Sequence, residues 1–232
     1  IMDFVKRKGI LTLPKTQKIV VKLTPHFMRP IRASASYSSP VTDDKREPAY
    51  FYVTPDIEGK LHNEYKFVSA HETYPGHHLL DAKRRGLENP IRRQIESPLF
   101  YEGWASYAEG LMVRSGYVRD PRQRLLGLKR QAWRALRAML DVGIRSKRLK
   151  YNDVEKLLAQ LGYSGCIVKR MLRHYLLSPG YQLCYTIGKF EFDSLREIFS
   201  DNGTLREFHD TILESGQIPF DLLEERLNEM IR

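Results

Sequence analysis

The segment SAHETYPGHHLLD (residues 69–81) decides the fold and the chemistry that this sequence predicts. A His-Glu pair followed one helical turn later by a second histidine is a common zinc-binding pattern on helices. Here Pro75 occupies the place of that second histidine, and His77 and His78 come six and seven residues after His71. The segment is therefore either a metal site with an unusual turn or a chance cluster of histidines.

A regular helix does not bring these histidines together. Six residues rotate a side chain by roughly 600°, about a third of a turn away from His71. His78 returns to the same face, but about 10.5 Å along the axis, too far to share a metal with zinc–nitrogen distances of about 2.1 Å. Pro75 lacks a backbone donor and Gly76 tolerates unusual dihedral angles. We therefore expect a bulge at Pro75-Gly76 that rotates His77 onto the face of His71, with His78 as the alternative ligand.

A third ligand is expected from the next helix. The segment LFYEGWASYAEG (residues 99–110) supplies Glu102, 25 residues after His77. That spacing allows one helix to end and an antiparallel helix to return. Glu109 lies seven residues further along the same face, where its carboxylate can accept a hydrogen bond from a metal-binding histidine. If His78 is not a ligand, we expect it to lie next to the ligands, as Glu109 does.

The fold predicted for the whole chain is mainly α. In the first 60 residues, short runs rich in valine, tyrosine and serine are separated by prolines, which predicts a small antiparallel sheet. From Asn63 onward helical patterns dominate. We expect residues 1–62 to form an N-terminal helix and a small β element of the same domain as the helical residues 63–232. The main predicted helices span residues 63–85, 94–115, 121–148, 152–162, 164–177 and 178–199, and two short helices follow.

The chain carries a formal net charge of +10, which raises the question of nucleic-acid binding. The basic residues are dispersed, however, with one concentration between Arg114 and Lys150. There they alternate with apolar residues at helical spacing, the pattern of an amphipathic helix with a solvated basic face. An acidic partner or substrate surface is the alternative reading of that face.

Localisation signals are sparse in this sequence. No apolar run reaches the roughly 18 residues that a membrane span needs. The first ten residues lack a secretory stretch, although we expect the chain to be part of a longer protein. Cys166 and Cys184 show no ligand-like spacing and are expected to be buried thiols in a reducing compartment. These features predict a cytoplasmic protein.

Several motifs resemble one known family. HETYPGHHL and YEGWASYAE, and later YLLSPGYQLCYTIGK and LREFHDTILESGQIPFDLLEE, resemble a prokaryotic metallopeptidase-like family filed as domain of unknown function 885. That family is similar in turn to the gluzincins related to thimet oligopeptidase and angiotensin-converting enzyme. The motifs recur in order from about Phe4 to the C-terminus. Members are usually more than twice as long, so the resemblance covers their C-terminal half only.

The resemblance implies a gluzincin-like helical catalytic domain that binds one zinc ion per chain through His71, His77 and Glu102. Glu72 is then the general base that activates a zinc-bound water. In the related enzymes a tyrosine from a late helix donates a hydrogen bond to the oxyanion. Tyr185 matches that place, with Tyr181, one turn earlier, as the alternative.

Arg173 and His174 precede this late helix and are further candidates for binding a substrate carboxylate or carbonyl. Near a helix end they also suit the negative end of the helix dipole, so the structural interpretation stays open.

The resulting hypothesis is a zinc-dependent peptidase, either a metallo-oligopeptidase or a carboxypeptidase-like enzyme, whose partner is a peptide substrate. A second hypothesis is an inactive metal-binding fragment or pseudoenzyme that needs a partner N-terminal half or a homo-oligomer. This second hypothesis predicts an exposed apolar surface on the N-terminal helix and the basic helix. The third hypothesis, a basic nucleic-acid-binding helical protein, rests only on the charge and is disfavoured. No membrane partner is expected.

Overall fold

Helices form most of the chain, and a small sheet lies near the N-terminus. The computed structural model describes residues 1–15, 17–29, 35–41, 47–56, 58–61, 63–163, 165–200 and 203–231. The strands are β1 (Ile19–Leu23), β2 (Ala35–Ser38) and β3 (Ala49–Val53). The helices are α1 (Met2–Lys8), α2 (Tyr65–Glu72), α3 (His77–Arg85), α4 (Pro90–Gln94), α5 (Pro98–Arg114), α6 (Pro121–Arg145), α7 (Tyr151–Gln160), α8 (Gly165–Leu177), α9 (Tyr181–Phe199), α10 (Leu205–Ser215) and α11 (Phe220–Ile231), with a short 3-10 turn at His26–Met28. The mainly α fold predicted from the sequence is confirmed.

The sheet is mixed rather than antiparallel throughout. Its strand order is β1-β3-β2, with β2 antiparallel and β1 parallel to β3. The central strand β3 buries Ala49 and Phe51, which explains its place between the other two. The hydrophobic pattern located the strands, but it carries no information on pairing order or direction. Residues 42–46, within the polar segment between β2 and β3, lie outside the described residues.

The helix predicted for residues 63–85 is divided in two. Helix α2 ends at Glu72 and α3 begins at His77, and a cis peptide bond joins Tyr74 to Pro75 between them. The expected local bulge is therefore a complete break between two helices. Proline and glycine at 75–76 mark the place correctly, but the break interrupts the helix more than a bulge does.

Helices α5 and α9 pack backbone against backbone in the core. A Cβ atom added to Gly103 would lie 2.6 Å from the Cα atom of Gly188. A Cβ atom added to Gly188 would lie 2.2 Å from the carbonyl oxygen of Leu99. Only glycines allow this approach, because real Cβ atoms do not come so close to other heavy atoms. Around this contact lies the main hydrophobic core, which includes Phe100, Trp104, Tyr107, Phe192, Phe208 and, from α1, Val5.

Helix α6 differs from the predicted amphipathic helix with a solvated basic face. Arg134 is buried, and Arg130 and Arg137 are half-buried, all three on the side of α5 and α9. Leu125 and Met139 are 67% and 69% exposed. The solvated basic face is therefore wrong for these three arginines, because carboxylates and aromatic rings on the neighbouring helices attract them inward.

Two further expectations concern membrane-spanning helices and the two cysteines. Among the described residues, no helix combines the length and apolar character needed to cross a bilayer. The side chain of Cys166 is exposed and that of Cys184 half-buried, so the prediction of two buried thiols is wrong. Cys166 lies on the solvent side of α8, where a small apolar residue costs little.

A buried histidine connects α10 to the segment after α1. His209 is fully buried, and its Nδ1 atom lies 2.6 Å from the carbonyl oxygen of Ile10. A carbonyl only accepts, so Nδ1 carries the proton, and Nε2 accepts from the Tyr107 hydroxyl at 2.8 Å. Both ring nitrogens are satisfied in the neutral form, and burial lowers the pKa of His209 to about 4.

Acidification should therefore destabilise the fold through His209. Its pKa in the unfolded chain is about 6.5, so its contribution is complete above pH 6.5 and is lost as the pH falls towards 4. We expect His209 to remove about 2 kcal/mol from the free energy of unfolding between pH 6.5 and pH 5, measured by urea denaturation. His209→Gln should flatten this dependence and leave the part due to His78, whose pKa burial also lowers to about 4. Equal pH dependence in both chains would contradict the assignment.

Candidate metal centre

Three buried side chains from α2, α3 and α5 meet at one point. The Nε2 atom of His71 lies 3.3 Å, and that of His77 3.5 Å, from Oε2 of Glu102. One donor atom from each of the three residues lies within 4.8 Å of the others. The structure thus brings together the three ligands proposed from the sequence, and this buried group can hold a metal ion.

The break between α2 and α3 places His77 beside His71. The amide of Gly76 donates to the carbonyl of Ala70 at 3.0 Å, so the chain folds back onto the end of α2. A Cβ atom at position 76 would lie 1.9 Å from the carbonyl oxygen of His71, which only glycine avoids. The rings of His71 and His77 consequently lie edge to face with their centroids 4.7 Å apart.

Glu109 and two arginines fix the orientation of His71. Nδ1 of His71 lies 3.0 Å from Oε1 of Glu109, so Nδ1 donates to that carboxylate and Nε2 is the nitrogen directed at Glu102. Arg134 donates to both Glu109 oxygens at 2.7 and 3.0 Å, and Arg130 donates to them at 3.0 and 3.2 Å. Burial raises the pKa of Glu109, but Arg134 and Arg130 outweigh it and hold that pKa well below its usual range.

Two tyrosines of α9 hold the other oxygen of Glu102. The hydroxyl of Tyr181 donates to Oε1 of Glu102 at 2.5 Å, and that of Tyr185 donates to it at 3.1 Å. Burial, together with the charge of Glu102, raises the pKa of both phenols, so both stay protonated donors. Both tyrosines proposed from the sequence therefore border the cluster, at the level of the Gly103–Gly188 contact.

Glu72 lies at the end of α2, half-buried, beside strand β2. Its Oε2 atom accepts a hydrogen bond from the backbone amide of Tyr37 at 2.8 Å. The ring of Tyr37 in turn faces His77, with centroids 6.5 Å apart. The edge strand of the small sheet thus positions the carboxylate proposed as general base next to the cluster.

Three other candidates lie elsewhere. His78 is fully buried, its Nε2 atom lies 3.0 Å from the hydroxyl of Tyr74, and it does not belong to the group of His71, His77 and Glu102. Arg173 and His174 are exposed on α8, and no described contact connects them to the cluster. Their proposed substrate role stays a prediction.

The electrostatics of the cluster fit a cation. Burial raises the pKa of Glu102, but the imidazoles of His71 and His77 outweigh it and hold that pKa well below its usual range. Oε2 of Glu102 is nevertheless buried without a well-aligned hydrogen-bond donor. Atoms bound about 2.1 Å from a tetrahedral zinc lie roughly 3.4 Å from one another, as the two Nε2 atoms do from Oε2. The donor set of two imidazoles and one carboxylate is also one that zinc commonly accepts.

The arginines of α6 are the site residues that sequence reasoning missed. Arg130, Arg134 and Arg137 follow one another at intervals of four and three residues, which places them on one helical face. That spacing was readable, but the partner that turns the face inward, Glu109, belongs to another helix. The arginine spacing identifies the inward face of α6 only once α5 and α6 are known to pack against each other.

These features define a helical domain with a buried two-histidine, one-glutamate centre at the junction of α2, α3 and α5. The chain belongs to a family of bacterial proteins of unknown function, DUF885, whose family model matches residues 1–227. The family resemblance inferred from the motifs is thereby confirmed at that level. No curated protein matches the chain.

Two solved structures share the fold. A candidate lipoprotein from Colwellia psychrerythraea is 28% identical, with a TM-score of 0.86 over 99% of this chain and 41% of the other. A candidate lipoprotein of unknown function from Shewanella oneidensis is 23% identical, with a TM-score of 0.78 over 97% of this chain and 43% of the other. The chain therefore spans about two fifths of the length of these relatives.

The predicted cytoplasmic location is wrong in the light of the Colwellia relative. A lipoprotein is held at a membrane by its lipid, which conflicts with a location free in the cytoplasm. The prediction rested on the lack of a long apolar run, on the first ten residues and on the two cysteines. The first ten residues carry little weight in a chain that spans only 41% of that relative.

Gly76→Ala should disrupt the cluster selectively. The added methyl group collides with the carbonyl of His71, so the turn must open and His77 must move away from Glu102. We expect at least a tenfold loss of affinity for Zn²⁺, measured by competition with a chromophoric chelator, with the helical circular dichroism largely retained. Gly165→Ala is the matched control, because nothing lies within 4 Å of a Cβ atom there. Unchanged zinc affinity in Gly76→Ala would refute the proposed role of the turn.

Proposed function

We propose that this chain is the metal-binding part of a zinc-dependent peptidase. The proposal is based on the buried cluster of His71, His77 and Glu102. In this cluster the Nε2 atoms of His71 and His77 lie 3.3 and 3.5 Å from Oε2 of Glu102. The two imidazoles and the carboxylate would hold one zinc ion. Bound there, zinc would polarise a substrate carbonyl and lower the pKa of a water molecule.

Glu72 has the position and the chemistry of a general base. Its carboxylate is half-buried at the end of the helix that carries His71, and the Tyr37 amide holds one of its oxygens. The other oxygen can accept a proton from the attacking water and pass it to the leaving amine. The hydrogen bond from β2 restricts the rotamers of Glu72 and so keeps the base near the cluster.

Tyr185 and Tyr181 provide donors for an oxyanion. In the described state both hydroxyls donate to Oε1 of Glu102. Their raised pKa keeps both protonated at neutral pH, so either hydroxyl can turn to a carbonyl oxygen that gains negative charge. The ring of Tyr185 is stacked on that of His71, with centroids 6.3 Å apart, which favours Tyr185 as the oxyanion donor.

Metal content is the first test of this proposal. We expect about one zinc per purified chain by plasma mass spectrometry, and its loss in Glu102→Ala and in His77→Ala, since each removes a ligand. His26→Ala and Glu224→Ala, which alter exposed residues of the same types, should keep the metal. If the unaltered chain fails to take up added zinc, the hydrolase proposal is refuted.

Glu72→Gln separates metal binding from catalysis. The variant should retain zinc, because Glu72 is not among the proposed ligands, and should lose at least about 100-fold in the rate of peptide hydrolysis, since the base is gone. Cleavage of a quenched fluorescent oligopeptide is the measurement. Full activity in Glu72→Gln would remove this residue from the mechanism.

A second candidate function is a metal-binding part that is active only with a further part of a longer chain. The apolar stripe on α6 favours it: Leu125, Leu128 and Met139 are each more than 60% exposed. Relatives that extend well beyond the matched region have additional chain to cover such a stripe. Zinc binding without any peptide hydrolysis by the isolated chain would favour this candidate over the first.

A further inference from the structure

One edge of the small sheet is open. Strand β1 lies at the end of the order β1-β3-β2 and pairs in parallel with β3 on one side. Within the described ranges, no backbone hydrogen bond joins the other side of β1 to another segment. An edge strand with unpaired N–H and C=O groups is a template on which a further strand can form.

The open edge borders an apolar cavity. Val21 and Leu23 alternate along β1 and therefore point to one face of the sheet. Their partners on β3, Phe51 and Val53, share that face. These four residues and Val68 of α2 are among those that line a cavity of about 480 Å³. Phe51 is buried, whereas Val21 and Leu23 are each 66% exposed, so the cavity opens at the β1 edge.

The opposite face of the same edge is basic. Lys22 lies between Val21 and Leu23 and points away from the cavity, with its Nζ atom 4.0 Å from the ring centroid of Tyr50. In the part of the chain that the structure describes, Lys22 has no carboxylate within ion-pair distance. The whole chain carries a formal net charge of +10. A strand added at β1 would therefore meet an apolar cavity on one face and positive charge on the other.

We propose that β1 binds an extended peptide of another protein in which apolar and acidic residues alternate. The peptide adds to the sheet beside β1, and its backbone pairs with the open edge. Its apolar side chains continue the face of Val21 and Leu23 and fill the cavity. Its acidic side chains lie on the other face, next to Lys22, where opposite charges on neighbouring strands attract.

A second copy of this chain fits the edge less well. In a continuous antiparallel sheet, two β1 strands would place both Lys22 side chains on the same face of one short ladder, where like charges repel. The pairing would also join two chains that each carry a net charge of +10. Charge therefore favours an acidic peptide as the occupant.

The peptide site is separate from the metal centre. The strand that contacts Glu72 is β2, through the backbone amide of Tyr37, and β3 lies between β2 and β1. Neighbouring strands lie about 4.8 Å apart, so β1 is about 10 Å from β2. None of the three proposed metal ligands lines the cavity. The peptide site consequently does not depend on the proposed hydrolase function.

Fluorescence anisotropy with labelled peptides tests the proposal on the full chain. The probe is a short C-terminally amidated peptide in which valine and glutamate alternate. One comparison peptide has lysine in place of glutamate, and the other has the composition of the probe with its valines contiguous. A chelator is present throughout, so that the metal centre neither binds nor cuts the peptides. We expect the probe to bind at least tenfold more tightly than either comparison peptide.

Variants of exposed residues locate the binding. Val21→Lys should weaken binding of the probe at least tenfold, because it brings a charge into the apolar cavity. Lys22→Glu should transfer the preference to the valine–lysine peptide. The matched control is Val41→Lys, which changes a valine that is 92% exposed after β2 and should leave the affinity unchanged. Circular dichroism of each variant should show an unchanged helix content.

Hydrogen exchange measured by mass spectrometry shows whether the peptide adds as a strand. Binding of the probe should slow the exchange of backbone amides in residues 19–23, since unpaired groups of β1 become hydrogen-bonded. Unchanged exchange in this segment would overturn the proposal, as would equal affinity for all three peptides. A dimer of the full chain that Val21→Lys dissociates would also overturn it, because a second copy would then occupy the edge.

Discussion

The backbone contact between α5 and α9 is the constraint on which the site depends. Gly103 follows the candidate ligand Glu102, and Gly188 lies one turn after Tyr185, so the closest approach of the helices is level with the metal centre. Hydrogen bonds of 2.5 and 3.1 Å from the two tyrosines to Glu102 exist only at this separation. A single methyl group at either glycine would push α5 and α9 apart. The hydrogen bonds from the two tyrosines to Glu102 would then be lost, since hydrogen bonds weaken steeply with distance.

The charges around His71 show a second level of organisation. Glu109 is buried between Arg130 and Arg134, an arrangement that costs desolvation and contributes little net stability to a fold. Its effect is to hold the His71 ring in one tautomer and one orientation. Charged groups that a stable core would do without are therefore concentrated behind a single imidazole, as expected where orientation of a ligand matters more than stability.

Much of this site was accessible from the sequence. The spacing made His71, His77 and Glu102 the preferred ligands, with His78 as the alternative to His77, because the Pro-Gly pair located the turn and the 25-residue separation located the returning helix. The resemblance to the family implied the same three residues. The form of the turn was not accessible, since proline and glycine are compatible with both a bulge and a complete break. Local sequence encodes where a helix is interrupted. The packing of α3 against α5 decides whether the interruption is a bulge or a complete break.

Other features needed tertiary information. The direction of β1 in the sheet depends on which strand is central, and the inward face of α6 depends on Glu109 from another helix. A helix with alternating arginines and leucines has two possible inner faces, and periodicity alone does not choose between them. Exposure of Cys166 follows from the same limit, because the buried face of α8 is selected by its neighbours.

The indole of Trp104 has an optical consequence. Its Nε1 atom donates to the carbonyl of Pro75 at 2.9 Å, so one side chain of α5 is bonded to the turn that separates the two histidines. The other tryptophan of the chain, Trp133, is stacked on Tyr163 along α6, at the cavity beside Arg137. The emission of one fluorophore thus senses the turn between the two histidines, and that of the other senses the cavity along α6. Replacing either tryptophan by phenylalanine isolates the signal of the other.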